Sequence, residues 1–347
     1  KFEVALKQTE CDAVLVTNLK NIYYLTGFSG TEATVFISKN RRIFLTDSRY
    51  TLIAKGVVKG FDIIETRDAL SEIAKIIADD KIKTIGFDDE ISYHSFKTLE
   101  ELFSDYKLTA MTAFIENLRM IKDEGEIATI RKACQISDQA FLDVLDFIKP
   151  GQTTELQVMN FLDARMRQLG ASGASFDFII ASGYRSAMPH GVASEKVIQT
   201  GETLTMDFGC YYNHYVSDMT RTIHVGHVTD EEREIYDIVL RSNQALIEAA
   251  KAGMSRIEFD QVPRKVINDA GYGQYFTHGI GHGIGLDIHE IPYFGKSSEP
   301  IEAGMVLTDE PGIYLDGKYG VRIEDDILIT DTGCELLTLA PKELIVI

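Results

Sequence analysis

Two segments near the end of the chain decide its fold, HGIGHGIGLDIHE (278–290) and EPGIYLDGKYGVRIEDD (310–326). The first sets three histidines among glycines, which allow close backbone approach and unusual backbone angles. The second contains an Asp-Gly dipeptide, a strong turn signal, whose Gly317 lies midway between Glu310 and Glu324. This segment therefore predicts a β-hairpin that places the two glutamates across from each other on one face of a sheet.

An earlier stretch of the chain has the same arrangement. Asp207 ends an alternating, strand-like segment, and Asp218 follows eleven residues later in YVSDMTRTIHV. A hairpin centred near Tyr212 and Asn213 would place these two carboxylates across from each other as well. The sequence thus predicts two hairpins, each of which presents a pair of acids.

The predicted juxtaposition of acids indicates a metal site. Four buried carboxylates on one sheet repel one another and do not all ionise without help. Two divalent metal ions would remove that conflict, and His282 would add a neutral nitrogen ligand. Oxygen-rich coordination favours Mn or Co over a structural tetrahedral zinc, with Zn as the alternative.

Taken singly, each of these groups has an ordinary structural explanation. Asp207 precedes a Phe-Gly pair and fits a turn, the histidines fit a packed core, and the acidic run Glu324–Asp326 fits a solvated edge. The combination of acid pairs on two predicted hairpins with a histidine cluster is what indicates the metal site.

The segments around the hairpins predict a duplicated domain over residues 118–347. Apolar residues recur at helical spacing in 118–151, and a capping box at Thr154 starts a second helix, after which strand-like segments follow. The same order then recurs, because Thr229 caps the first of two further helices ahead of strand-like segments such as YFTHGIGHG. Two helices and then strands, twice over, indicate a duplicated α+β domain with one antiparallel sheet.

Residues 1–117 predict a separate α/β domain. Short apolar segments alternate there with helical stretches, which is typical of layered α/β folds. The predicted strands are DAVLVT (12–17), TVFISK, RIFLTD (42–47), FDIIET (61–66) and KTIGFDD (83–89), and the predicted helices are SEIAKIIADD and SFKTLEELFSDY.

Composition limits the function classes. The net charge of −18 and the lack of a basic patch argue against a nucleic-acid partner. No apolar run reaches the ~18 residues that a membrane span needs, so we expect no membrane association. The cysteines are scattered without paired spacing, which predicts reduced thiols in a cytoplasmic protein. They are Cys11, Cys134, Cys210 and Cys334.

The order of motifs resembles one protein family. D-x-G, S-D-x-T-R-T, H-G-x-G-H-x-x-G-x-x-x-H-E, E-P-G-I-Y and R-I-E-D follow one another as in the pita-bread metallopeptidases, and within them as in the Xaa-Pro peptidases, prolidase and aminopeptidase P. LRMIKDEGEI (118–127) resembles the entry into the family's catalytic domain, and the N-terminal part is similar to its creatinase-like domain. The resemblance implies a pita-bread catalytic domain, two divalent metals and a homodimer.

The resemblance also implies a role for each site residue. Asp207 would chelate one metal, Asp218 and Glu324 would bridge both, and His282 and Glu310 would complete the second site.

Other residues of the motifs would surround the substrate. His190 would line the substrate pocket, while His278 and His289 would contact the substrate and the developing tetrahedral intermediate. Glu310 would shuttle a proton to the imide nitrogen, and Arg322 would anchor the cluster as a neighbouring cation.

The implied reaction is hydrolysis of the peptide bond before proline, most directly in Xaa-Pro dipeptides. Tyr293 stands where prolidases often carry an arginine for the substrate carboxylate, with Lys296 as a weaker substitute, and this keeps aminopeptidase P as the alternative. The short connection from Glu310 to Glu324 favours a compact dipeptidase.

Other function classes fit the motifs less well. They are a metal-independent, creatinase-like hydrolase and a non-enzymatic binding module on the same fold. Both are disfavoured because every expected ligand position holds a competent ligand. Methionine aminopeptidase shares the implied fold, but its histidine arrangement and lack of this N-terminal domain agree less well.

Overall fold

The computed structural model describes residues 2–78 and 80–347. The chain divides into two compact units, Lys1–Arg119 and Met120–Ile347. Within the described residues, no helix is both long enough and apolar enough to cross a membrane.

The N-terminal unit is built on one six-stranded mixed sheet. Its strands are β1 (Ala13–Val16), β2 (Thr34–Ser38), β3 (Arg42–Thr46), β4 (Asp62–Glu65), β5 (Thr84–Phe87) and β6 (Lys107–Ala110). They lie in the order β4-β3-β2-β1-β5-β6, with antiparallel pairing around β2 and parallel pairing elsewhere.

Helices precede, connect and follow these strands. They are α1 (Phe2–Leu6), α2 (Leu19–Thr26), α3 (Thr51–Val57), α4 (Ala69–Ile77), α5 (Tyr93–Leu102) and α6 (Phe114–Met120). Alternate residues of β1 enter two different cores, Leu15 on one face and Val14 on the other, so the sheet is covered on both faces. The predicted α/β architecture is confirmed, although α1, α2, α3, α6 and β6 were not predicted.

The C-terminal unit repeats one pattern twice. The first half has helices α7 (Glu124–Phe147) and α8 (Glu155–Gln168), then strands β7 (Gly173–Ala174), β8 (Ile179–Ser182), β9 (Thr203–Phe208), β10 (Cys210–Tyr212), β11 (Tyr215–Val216) and β12 (Met219–His224). The second half has helices α9 (Asp230–Ala249) and α10 (Arg256–Asp269), then strands β13 (His282–Gly283), β14 (Glu290–Tyr293), β15 (Val306–Asp309), β16 (Gly312–Leu315), β17 (Tyr319–Arg322), β18 (Asp325–Ile329) and β19 (Cys334–Leu336).

Each half has its own hydrophobic core. One core packs α7 and α8 against the strands of the first half, and the other packs α9 and α10 against β15–β18. The predicted capping boxes at Thr154 and Thr229 are both present. The predicted duplicated arrangement of two helices followed by antiparallel strands is confirmed. In the described residues these strands form four sheets, not one: β11-β10-β7, β12-β9-β8, β14-β13-β15-β18-β19 and β16-β17.

One predicted strand is wrong. YFTHGIGHG is largely irregular, and only its last two residues, His282 and Gly283, belong to a strand. Gly281 has φ +155° and lies so close to the backbone of Thr308 that any side chain would collide. Glycine is needed there to bring His282 against β15, and such a conformation does not continue a regular strand.

Candidate metal centre

The second acid pair, Glu310 and Glu324, lies on a β-hairpin whose ladder of backbone hydrogen bonds is interrupted. β15 pairs with β18 and β16 pairs with β17 in one common register, from Asp309 opposite Asp325 to Gly312 opposite Arg322. That register puts Glu310 opposite Glu324, in the gap between the two ladders. The turn lies at Gly317, with φ +70°, as the sequence predicts.

In this gap the backbone bonds to neighbouring segments instead of across the hairpin. The Glu310 N–H donates to the Ile280 carbonyl at 2.9 Å, and the Glu324 N–H donates to the Thr220 carbonyl at 3.0 Å. The Thr220 hydroxyl also donates to the Glu324 carboxylate at 2.6 Å. The second hairpin is thereby fastened to β12 of the first, which brings the two acid pairs together.

The first hairpin differs from the prediction by two residues in register. Asp207 faces Thr220, not Asp218, because the two-residue turn is Asn213-His214. Both turn residues have positive φ, 45° and 71°, as a tight hairpin turn requires. Asp218 is therefore a diagonal neighbour of Asp207 on the same face, not its direct partner.

His282 faces this group of acids. Its Nε2 lies 3.7 Å from Asp218 Oδ2 and 3.6 Å from Glu310 Oε1, while its Nδ1 lies 3.1 Å from the Gly283 carbonyl. Potential ligand atoms of Asp218, His282 and Glu324 all lie within 4.8 Å of one another. The structure thus gathers the predicted ligands from both hairpins and the glycine-rich segment.

The protonation tendencies of the group fit a cation site. Burial raises the pKa of Asp218 and Glu324 well above the usual range and that of Glu310 to about 8. Burial also lowers the pKa of His282 to about 4, so its imidazole is neutral. The carboxylates need positive charge nearby to ionise together, and His282 is already in the form that binds metals.

Buried carboxylate oxygens without a hydrogen-bond partner give a second indication of a metal site. Within the described part of the chain, Asp207 Oδ1 and Asp218 Oδ1 are buried without a hydrogen-bond partner. Buried carboxylate oxygens are rarely left unsatisfied, because their desolvation is unfavourable. The five-residue donor set therefore fits divalent metal ions.

Arg322 is buried beside the group and contacts it directly. Its Nη2 donates to Asp207 Oδ2 at 2.6 Å, its Nε to the Thr220 hydroxyl at 3.0 Å and its Nη1 to the Tyr314 hydroxyl at 2.8 Å. Burial raises the pKa of Asp207, while this guanidinium opposes the rise. Tyr314 in turn lies 2.8 Å from His278 Nε2, whose Nδ1 lies 2.8 Å from the Gly279 carbonyl.

A second layer of acids lies on the opposite face of the same hairpin. Asp325 is bound by Arg221 at 2.8 Å and by Lys342 at 2.6 Å, and Asn243 donates to both Asp325 and Asp309 at 3.1 Å. Burial opposes the charge of Asp325, but the two cations outweigh it and lower its pKa to about 2. The sequence-based predictions did not include this layer.

Asp326 holds the backbone of Asp218 in place through a hydrogen bond. It accepts the Asp218 N–H at 2.9 Å and is contacted by the Cys134 thiol at 3.3 Å. The interpretation of Glu324–Asp326 as a solvated edge is therefore wrong, since all three residues are buried. Strand alternation explains the error, because it sends Glu324 and Asp325 to opposite faces, each with its own buried partners.

A cavity of about 460 Å³ opens above the ligand set. Its walls include the predicted His190, His278 and His289, and also apolar residues that the sequence analysis did not identify. Those residues are Phe176, Ile179, Val192 and Ile288. Two of them, Phe176 and Ile179, belong to the strand-like segment FDFIIASG (176–183). This segment includes β8, which pairs with the strand of Asp207.

The residues of the cavity wall also show whether Lys296 could bind the substrate carboxylate in place of an arginine. Tyr293 lies in the wall and is 55% exposed, whereas Lys296 is exposed on the surface and is not among the cavity-lining residues. Of the described lining residues, Arg322 is the one permanent cation, and it is bound to Asp207. Lys296 therefore does not take the place of an arginine in this cavity.

We predict that Lys342→Met lowers the free energy of unfolding by about 2–4 kcal/mol, because it leaves the buried Asp325 with one cation in place of two. Lys265→Met is the matched control, since Lys265 forms an exposed ion pair with Asp269 on α10 and should contribute less than about 1 kcal/mol. Urea unfolding of both variants measures the difference. Equal losses would show that the second layer does not stabilise the hairpin.

Comparisons with known proteins agree with the geometry. Residues 128–331 match metallopeptidase family M24, and residues 1–121 match the creatinase/prolidase N-terminal domain. A structure of a Xaa-Pro dipeptidase from Bacillus anthracis is 44% identical, with a TM-score of 0.95, and the match covers 100% of this chain and 97% of that one.

Two further relatives span the same length. The X-Pro aminopeptidase structure from Thermotoga maritima MSB8 is 39% identical with a TM-score of 0.93, covering 99% of this chain and 100% of that one. The Xaa-Pro dipeptidase of Pyrococcus furiosus is 38% identical, covering 98% of this chain and 97% of the relative. The predicted family resemblance is confirmed: the chain belongs to metallopeptidase family M24.

Proposed function

We propose that this metallopeptidase hydrolyses the bond before proline in Xaa-Pro dipeptides, with two divalent metal ions held by Asp207, Asp218, His282, Glu310 and Glu324. The observation that carries the proposal is the convergence of these donors, two of them with buried carboxylate oxygens that lack a hydrogen-bond partner, beneath a cavity of about 460 Å³. Relatives named Xaa-Pro dipeptidase or prolidase, 37–44% identical over nearly the whole chain, support the specificity.

The residues of the cavity have distinct parts in this proposal. Bound metals supply Lewis-acid activation of a water molecule. Glu310 would accept a proton from the attacking water and pass it to the proline nitrogen as the C–N bond breaks. His289 donates to the oxygen of the scissile carbonyl, and His190 lines the pocket for the substrate. Both ring nitrogens of His278 are already engaged, so it meets the substrate through its carbon edge.

Residues 118–347 are the proposed catalytic domain, and residues 1–117 the proposed creatinase-like domain. Mn is the metal we propose, because the donor set is mostly oxygen, with Co and Zn as alternatives. All four cysteines are free thiols, which favours a reducing compartment such as the cytoplasm.

We propose that the protein is a homodimer in which the N-terminal unit helps to enclose the partner's active site. Support comes from helix α3, which exposes Leu52 at 85%, Ile53 at 53% and Val57 at 44%. Large apolar side chains grouped on one short helix are typical of a contact surface.

A paired variant test separates metal ligands from residues that act on the substrate. Asp218→Ala should lose both metal and turnover, because it removes a proposed bridging ligand. His289→Ala should keep about two ions per chain and lose about 10²-fold or more in kcat, the scale of one lost oxyanion donor. Metal analysis after Mn reconstitution, with kinetics on Leu-Pro, makes the comparison. Full activity in Asp218→Ala, or metal loss in His289→Ala, would contradict the assignment.

Substrate length tests the dipeptidase proposal. Leu-Pro should have a higher kcat/KM than Leu-Pro-Gly in the unmutated, Mn-loaded enzyme. Aminopeptidase P activity is the second candidate, favoured by Tyr293 in the cavity wall where a carboxylate-binding arginine would stand. A higher kcat/KM for the tripeptide would establish that candidate.

Leu52→Glu should convert the dimer to a monomer, because it buries a charge in the proposed contact. Leu102→Glu, at an exposed apolar position on α5, is the control and should leave the mass unchanged. Light scattering measures both. A monomeric, fully active unmutated protein would rule the dimer out.

A further inference from the structure

The cavity wall contains a row of residues that runs across three neighbouring chain segments. Ile179 on β8 pairs with Asp207 on β9 and bridges on its other side to Val192. All three residues line the cavity. Directly opposed residues of antiparallel strands point to the same face, so this row is one wall of the substrate site.

Asp177 extends this wall by one step along the chain. It lies two residues before Ile179, just ahead of β8, and lines the cavity as Ile179 does, while Phe178 and Ile180 enter the core. Phe178 is held there by edge contact with Phe208. The inward anchoring of Phe178 therefore turns the Asp177 carboxylate outward to the rim of the cavity.

Asp177 differs from the other charged residues of the wall. The four acids below it belong to the proposed metal set, and Arg322 is bound to Asp207. Within the described chain, Asp177 is exposed and makes no hydrogen bond or ion pair. Among the described residues that line the cavity, it is the one whose charge is left available to a ligand.

The distance of Asp177 from the proposed metal ligands determines which group of the substrate it can contact. Spacings of ~3.3 Å along a strand and ~4.8 Å between strands place its Cα roughly 8 Å from that of Asp207. An α-ammonium nitrogen lies only about 2.5 Å from the scissile carbonyl carbon, which must sit over the metal set. An extended lysine side chain spans about 6 Å from Cα to Nζ and reaches the rim.

We propose that Asp177 is a specificity-determining residue that selects substrates with a cationic side chain, lysine or arginine, immediately before proline. This inference rests on the proposed function, since it takes the scissile carbonyl to lie over the metal ligands. It assigns the hydrophobic wall of Phe176, Ile179 and Val192 to the aliphatic stem of that side chain and Asp177 to its charged end.

The test compares Lys-Pro with norleucine-Pro, which has nearly the same shape without the charge. In the Mn-loaded enzyme, Lys-Pro should have the higher kcat/KM, and Asp177→Asn should reduce the ratio about two- to fivefold, the size of a solvent-screened ion pair. Added salt should reduce the ratio in the same direction. Asp177→Glu should retain most of the preference.

Glu195→Gln is the matched control, because Glu195 is an exposed acid on the segment after Val192 and does not line the cavity. It removes the same charge and should leave the ratio unaltered. An equal fall in Glu195→Gln would assign the effect to overall charge and overturn the proposal. So would an equal fall for both substrates in Asp177→Asn, which would mean that Asp177 meets the α-ammonium group.

A second measurement does not depend on turnover. Reduced-bond analogues of Lys-Pro and norleucine-Pro, with CH2 in place of the scissile carbonyl, bind without being cleaved. Calorimetry on the Mn-loaded enzyme should show the same two- to fivefold change in the ratio of Kd values in Asp177→Asn. If the ratio of Kd values changes but neither dipeptide is hydrolysed, only the proposed function is refuted. If the dipeptides are hydrolysed but the ratio of Kd values does not change, only the role of Asp177 is refuted.

Discussion

Mutual repulsion of buried carboxylates is the constraint on which the C-terminal unit depends. Asp207, Asp218, Glu310 and Glu324 are gathered where water does not screen them, and burial raises the pKa of each. Such a group is stable only with positive charge nearby. Arg322 supplies part of it at Asp207, and the remaining donors fit divalent cations. The fold thus holds together an arrangement of acids that is unfavourable until cations bind.

The second hairpin meets this constraint on both faces. Glu310 and Glu324 face the cavity, while Asp309 and Asp325 face a buried network with Arg221 and other polar residues. In the rear layer Arg221 and Lys342 neutralise Asp325, while burial and the neighbouring Asp325 raise the pKa of Asp309 well above its usual range. The front layer, in contrast, needs metal. Since the same backbone carries both layers, the rigid rear network fixes the positions of the front ligands.

The sequence predicted those parts of the site that depend on local signals. The Asp-Gly turn located the Glu310–Glu324 hairpin correctly, because turn chemistry sets hairpin register. The first hairpin was misplaced because Asn213-His214 is a weaker turn signal, and one residue of turn shift moves the register by two. The rear network was not predictable, since Lys342 and Asn243 approach Asp325 only through tertiary packing. The broad α/β and duplicated α+β architecture followed from periodicity and capping, whereas short elements such as β6 carried too little pattern to be recognised.

Duplication places the proposed metal ligands and the rim of the cavity in different parts of the unit. Each half contributes one interrupted hairpin, and the ladder gaps are where ligand side chains and neighbouring segments meet. Gly209 marks the gap in the first hairpin, because any side chain there would collide with the Ser217 carbonyl. The ligands are therefore fixed by backbone geometry that tolerates little change. Asp177 and Tyr293 line the cavity outside these gaps, so substitution there leaves the hairpin backbone that carries the proposed ligands unaltered.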